Sequence, residues 1–273
     1  MAKPFGWNVA DPSEIAFGKS YGAWLEEWEK WLISDYPDRT NNGPVYFTRG
    51  VNCEIPYNRL VRTGDKRLIM STMDAIFHVV IAWMNTSNTD THLPNSSSRT
   101  NDAIASALNF EPRPNNAKIL KRDPEGGIED ENIISSYRKF LTVTREFAIT
   151  VPEVGYESES GDKEECKNLN QFLDHPVVSG DNLTVAAAYC FFIQPTQIGN
   201  YYLASTGSAE NNYTTTTFLE IEVVKDKTEV QSKIIEELAT KRSPTFNATE
   251  KVGNAPVIGD SGRIKEIINE LFK

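Results

Sequence analysis

Cysteine and histidine are scarce in this sequence, with three of each among 273 residues. Cys53, Cys166 and Cys190 are far apart and odd in number, and no CxxC occurs. Neither a disulfide framework nor a thiolate zinc site is therefore expected, and a reduced, cytosolic setting fits. An excess of basic charge is also missing: 28 Lys and Arg face 38 Asp and Glu, for a formal net charge of −10. That argues against nucleic acid as a partner, since phosphate binding needs basic patches. No apolar run is long enough to span a bilayer, so no membrane partner is expected. The opening MAKPFGWNVADPSE holds one lysine and no apolar h-region, and no secretory signal is expected. The sequons at Asn85, Asn95, Asn182, Asn212 and Asn247 then reflect a chain rich in Asn, Thr and Ser, not glycosylation. No GxSxG, glycine-rich phosphate loop or HExxH is present, no internal repeat is found, and Gly126-Gly127 reads as a turn.

What is present is ordinary globular composition, 39% hydrophobic and 24% charged, in a length that suits one large domain or two small ones. The most informative stretch is Tyr21 to Ile33, YGAWLEEWEKWLI. Trp24, Trp28 and Trp31 recur at i, i+4 and i+7, beside Tyr21 and Leu25, which puts the indoles on one face of a helix. Each ring can bury roughly 150–250 Å², so this helix is expected to anchor a core. Ser20 is its N-cap candidate, and Pro37 limits its end.

Residues 1–19 read as an arm. Val45-Tyr46-Phe47, Arg59 to Arg62 and Arg67 to Met70 read as short strands, with Thr63-Gly64-Asp65-Lys66 as a hairpin turn. Ile76 to Trp83 is a buried strand by length and β-branching. Residues 85–100 are polar and turn-rich and read as a long surface loop, followed by a turn or two of helix over Asp102 to Leu108. Leu141 to Val151 alternates, with Leu141, Val143, Phe147, Ile149 and Val151 on the apolar side, which predicts one half-buried antiparallel strand. Thr184 to Gln194 is apolar on both parities and predicts a central strand. Gly199 opens a further strand, Tyr201 to Ser205, which with Tyr213 to Val224 completes an antiparallel β-sandwich, jelly-roll or immunoglobulin-like.

The domain then spans 20–225. Asp226-Lys227-Thr228-Glu229 resembles a capping box and opens a helix over 226–242, with Val230, Ile234 and Leu238 on one face. Residues 243–262 form a patternless linker that spans up to roughly 66–72 Å when extended. Residues 263–273 form a short amphipathic helix with Ile264, Ile267, Ile268, Leu271 and Phe272 on one face. A helix this short is marginal alone, so it is expected to dock on its own domain or on a neighbour.

Candidate chemistry is thin. Asp74 and His78 are four apart, but on a strand that separates them by about 13 Å, so a metal site is not expected. His92 and His175 are the other histidines. Cys190 lies in a core-like strand, where thiols are inert, and no catalytic cysteine is assigned. Carboxylate pairs are abundant (Glu26/Glu27, Glu129/Asp130/Glu131, Glu164/Glu165, Glu236/Glu237), yet charge runs are usually solvated faces. No catalytic residue, cofactor or metal is assigned.

YGAWLEEWEKWLISDYP followed by GPVYFTRG resembles an uncharacterised family with an aromatic W-x-x-x-W-x-x-W helix and then a P-V-x-F-x-x-G strand. That family occurs in bacterial secreted proteins and among predicted structural proteins of tailed phages of marine cyanobacteria. AAAYCFFIQPTQIGNYYLAS with FLEIEVV is similar to its closing strands, Pro195, Gly199 and Tyr201 taking the turn positions. The resemblance covers roughly residues 17–224 and brings no catalytic residues with it. The bacterial members' paired cysteines and signal peptide find no counterpart here, which favours the phage-like branch.

The expectation is thus a non-enzymatic virion structural protein, a capsid decoration or tail accessory subunit made in the host cytoplasm. Its partners would be other virion proteins or copies of itself as a homo-oligomer. One alternative is a carbohydrate- or small-ligand-binding sandwich using Tyr201, Tyr202 and Tyr213. Another is a cytoplasmic hydrolase with an acidic cleft.

Overall fold

The structure is a computed structural model that describes residues 6–33, 44–49, 51–52, 67–109, 117–122, 128–134, 137–151, 178–208 and 214–241. The chain is mainly β. In order it forms β1 (Trp7–Val9), α1 (Tyr21–Ile33), β2 (Val45–Arg49), β3 (Val51–Asn52), β4 (Leu68–Ser71), β5 (Ala75–Thr86) and α2 (Ser96–Asn109). β6 (Ala117–Arg122), β7 (Ile128–Ile134), a 3-10 turn (Arg138–Phe140), β8 (Leu141–Val143) and β9 (Phe147–Val151) follow. β10 (Gly180–Pro195), β11 (Gly199–Ser208), β12 (Thr214–Val224) and α3 (Lys227–Lys241) complete the described elements.

The strands build two six-stranded sheets. In the first, β10 lies antiparallel to β5 along most of its length, and β5 lies parallel to β2. The other edge of β10 is shared by β9, β8 and β1 in succession. In the second, β7, β6, β11 and β12 run antiparallel in that order, and β12 also holds β3 antiparallel and β4 parallel. The purely antiparallel arrangement expected from the sequence is therefore corrected to two mixed sheets. Side-chain alternation is the same in both pairings, and direction is set by the connections. Here the chain leaves β2, places β3 and β4 in the second sheet, and only then returns for β5.

The β10/β5 pair forms because both segments are apolar on both parities, as a strand covered on two faces requires. Its register slips once, between Tyr189 and Cys190, where Val80 of β5 is the extra residue. Such a bulge bends a strand and adds twist. The residues of 1–19 that are described are no free arm: Trp7, Asn8 and Val9 pair with Pro195, Gln194 and Ile193. A tight turn follows, in which Ala16 and Lys19 bond to each other through both backbone groups. Its central residues Phe17 and Gly18 have φ of 50° and 83°, the conformation a two-residue hairpin turn demands.

Helix α1 starts at Ser20, whose Oγ accepts from Ala23 N at 3.3 Å. Tyr21, Trp24, Leu25 and Trp28 are buried, with Phe77 and Phe192 of the first sheet beneath them. Each polar tip is used. Tyr21 Oη donates to Ala10 O at 2.8 Å and accepts from Phe192 N at 3.1 Å. Trp24 Nε1 donates to Ala16 O and Trp28 Nε1 to Thr48 O. The indoles thus tie the N-terminal turn and β2 to the helix. Trp31 is half-buried against Phe47, at 5.6 Å between ring centroids.

Two expectations change elsewhere. The predicted loop 85–100 is shorter: β5 runs to Thr86, and α2 begins at Ser96. Asn95 supplies the cap, its Oδ1 accepting from Ser98 N at 2.9 Å while Ser98 Oγ accepts from Asn95 N. This is a capping-box exchange built from serine in place of Glu or Gln. The single strand predicted for Leu141 to Val151 is two, broken at 144–146. Phe147, Ile149 and Val151 are buried as expected, but in β8 Thr142 is the buried residue. Leu141 and Val143 instead pack beneath α2. The strands of 59–62, the linker 243–262 and the helix 263–273 lie outside the described residues.

Candidate functional site

β5 sends Phe77 toward α1 and His78 toward the opposite face, a consequence of strand alternation. His78 is 0% exposed. Its Nδ1 lies 2.8 Å from Thr48 Oγ1 on the parallel neighbour β2, and its Nε2 lies 2.7 Å from Ser205 Oγ on β11 of the other sheet. Ser205 is in turn hydrogen-bonded to the buried Tyr137 hydroxyl. The ring of Phe191 stands edge-on to the imidazole at 5.1 Å. A neutral imidazole donates from one nitrogen and accepts at the other, which matches one hydroxyl on each side.

A serine hydroxyl against a histidine, oriented by a third group, has the layout of an activated nucleophile. Here it cannot serve as one. Ser205, His78 and Tyr137 are all buried, so a substrate has no approach. Burial also pushes the His78 imidazole down to about 3, which removes it as a base near neutral pH. The chain of hydroxyl, imidazole, hydroxyl and phenol is a satisfied polar crosslink between the two sheets. The sequence reading named His78 but not Thr48, Ser205 or Tyr137. Neither pairing has a local signal, since β2 and β11 are both distant from β5 in sequence.

Asp74, four residues before His78, makes its bonds elsewhere. It sits in the turn before β5, where its Oδ2 accepts from Ser71 N and Ser71 Oγ at 2.8 and 2.9 Å. Its Oδ1 lies 2.5 Å from Lys227 Nζ at the start of α3. Among the described residues no three His, Cys, Asp or Glu side chains gather as a metal site. His92 is exposed in a turn and His175 lies outside the described residues.

Cys190 is buried in β10, and burial pushes its thiol up to about 12. The thiolate that a nucleophile requires is then absent. Cys53 and Cys166 lie outside the described residues. Of the carboxylate pairs, Glu26 is bonded to Lys30 and Glu27 to Lys19, both at the surface. The 129–131 side chains, the 164–165 pair and the Glu237 side chain lie outside those described, and Glu236 is exposed. A further ion pair, Arg99 to Glu146, fastens α2 to the β8–β9 connection, and Arg99 also donates to Leu93 O.

The aromatic residues named for sugar binding are corrected. Tyr201 and Tyr202 are 0% and 8% exposed. Tyr201 packs edge-on to Trp7 at 5.4 Å, and its hydroxyl donates to Gln197 O. Strand alternation sends the two rings to opposite faces of β11, and Tyr201 joins the main core cluster. Tyr213 lies outside the described residues, as do Ile264, Ile267, Ile268, Leu271 and Phe272.

Exposed large apolar side chains are scattered over the described surface, and two of them, Ile234 and Ile235, are adjacent on α3. Asp226 Oδ1 caps it through Thr228 N and Glu229 N, and Glu229 reaches back to Lys225 N at 3.1 Å. Val230 is buried on Ile69 and Val224. One turn later Ile234 and Ile235 are 43% and 66% exposed. No described helix is long and apolar enough to cross a membrane. No protein family, curated protein or solved structure matches this chain.

Proposed function

We propose that this chain is a non-enzymatic structural protein, a subunit that joins copies of itself or neighbouring proteins of a tailed-phage virion as a capsid decoration or tail accessory protein. In this reading the two mixed sheets stack as a β-sandwich, and α3 with residues 243–273 is the attaching arm. The observation that carries the reading is the exposed pair Ile234 and Ile235 on a helix that leads straight into that segment. Apolar side chains left on a helix face are cheap to bury against a second surface. A tethered segment adds affinity by raising the effective concentration of its docking face.

The chemistry points the same way. The buried histidine and aspartate named as candidate chemistry are committed to structural bonds: His78 to Thr48 and Ser205, Asp74 to Ser71 and Lys227. The test is a comparison of particles assembled with the full chain and with residues 243–273 deleted, read by mass spectrometry for copy number. Loss of the truncated chain from particles while it remains folded supports the reading. Incorporation at the full-length copy number, or absence of the intact chain from particles, contradicts it.

A further inference from the structure

Helix α1 carries one acid on its buried face. Glu26 and Glu27 reach lysines at the surface, but Glu29, one turn beyond the fully buried Leu25, is 1% exposed. Its Oε1 has no hydrogen-bond partner among the described residues. The described side chains of the elements packed against α1 offer no cation to it. β8 and β9 contribute no titratable side chain. β10 contributes Cys190, a protonated thiol within electrostatic reach of Glu29 and bonded to Thr142. Among the described side chains of β2 only Tyr46 titrates, and burial holds it up at about 12. In the β8–β9 connection Arg145 is exposed and Glu146 is taken by Arg99. On α1 itself Lys30 pairs with Glu26, and Tyr21 is bonded to Ala10 and Phe192.

We propose that Glu29 is a protonation latch: as a neutral carboxyl it lets α1 seat on β8, β9 and β10, and as a carboxylate it releases the helix and uncovers the tryptophan face. A charge so placed is cut off from bulk solvent and has no partner among the described residues, and the helix restores its hydration by leaving. Burial pushes the carboxyl up from 4.5 to about 8, so the latch works from mildly acid to mildly alkaline solution. The released helix holds a normal carboxyl and the seated one a raised pKa. Opening is therefore favoured tenfold more for each pH unit between those two values and becomes constant above the higher. This inference does not rest on the assembly role.

Amide hydrogen exchange on the full chain tests it, with rates corrected for the intrinsic pH dependence. In the wild type, protection of residues 21–33 should fall about tenfold per pH unit and level off near pH 8, while the centre of β10, whose exchange needs global unfolding that also charges His78, should stay level between 4.5 and 6.5. Glu29→Gln should abolish the slope in α1. A flat α1 profile in the wild type, or a slope that survives Glu29→Gln, overturns the proposal. So does a slope in α1 equal to that in β10 between 4.5 and 6.5, which means that the helix opens only when the domain melts as a whole. If Glu29→Gln does not fold, the wild-type difference between α1 and β10 decides alone.

Discussion

His78 Nε2 lies 2.7 Å from Ser205 Oγ, a bond between β5 of one sheet and β11 of the other that closes a separation of 127 residues. With Thr48 on its far side, the imidazole is a polar crosslink inside a largely apolar core. Removing one partner strands a buried nitrogen, which costs about 1–3 kcal/mol. Ser205→Ala and Thr48→Val should each lower the urea midpoint by that order without changing the slope of the transition. His78→Ala, which orphans both hydroxyls and opens a cavity, should cost more than either.

The same histidine sets a pH dependence. Its folded pKa is depressed from 6.5 to about 3. Above 6.5 it is neutral in both states and contributes nothing. As pH falls from 6.5 toward 3 the unfolded chain takes up a proton that the folded one refuses, and stability is lost. Glu29 acts with the opposite sign, since its folded pKa is raised from 4.5 to about 8 and stability falls as pH rises through that window. The two contributions cancel between 4.5 and 6.5 and leave a plateau there. Denaturation across pH should show His78→Phe removing part of the acid-side loss and Glu29→Gln part of the alkaline-side loss. Parallel profiles for wild type and both variants would refute these assignments.

The fit of sequence to structure follows from what local pattern encodes. The helix Tyr21–Ile33, the strands β5 and β10 and the α3 cap were legible because each is written in consecutive residues: indoles at helical spacing, two-parity apolar runs, an Asp before Thr-Glu. The start of α2 was not, because Ser96, Ser97 and Ser98 have weak helix propensity and the element is held by Asn95 and by Arg99. Strand direction and the His78 crosslink were not legible either, since both depend on which distant strands become neighbours. The burial of Glu29 was not legible either. An acid at a core position is an exception that periodicity alone averages away.

Glu146→Ala should loosen α2. Arg99 is buried and loses its carboxylate partner, although Leu93 O still accepts from it. An unpaired buried charge costs about 3–5 kcal/mol, and the half-exposed position of Glu146 puts this case at or below the low end. Exchange at residues 96–109 should accelerate ahead of the strands. Arg99→Met should recover much of the loss caused by Glu146→Ala, because a buried pair replaced by apolar volume leaves no charge behind.

Trp28→Phe keeps an aromatic ring in the core but strands the Thr48 carbonyl that its Nε1 serves. The expected cost is about 1–3 kcal/mol. Trp31→Phe, at a half-buried site, should cost less, and thermal melting of the two variants side by side checks the order.

If α3 and the segment beyond it hold neighbouring subunits together, their removal must change the size of the particle in solution. Sedimentation velocity of the purified full chain, beside Ile234→Glu/Ile235→Glu and a form ending at residue 242, reads that size without an intermediary. The full chain should sediment as an oligomer, and both altered forms should sediment as folded monomers. A full chain that stays monomeric at every concentration, or altered forms that assemble as the full chain does, would contradict assembly through this arm.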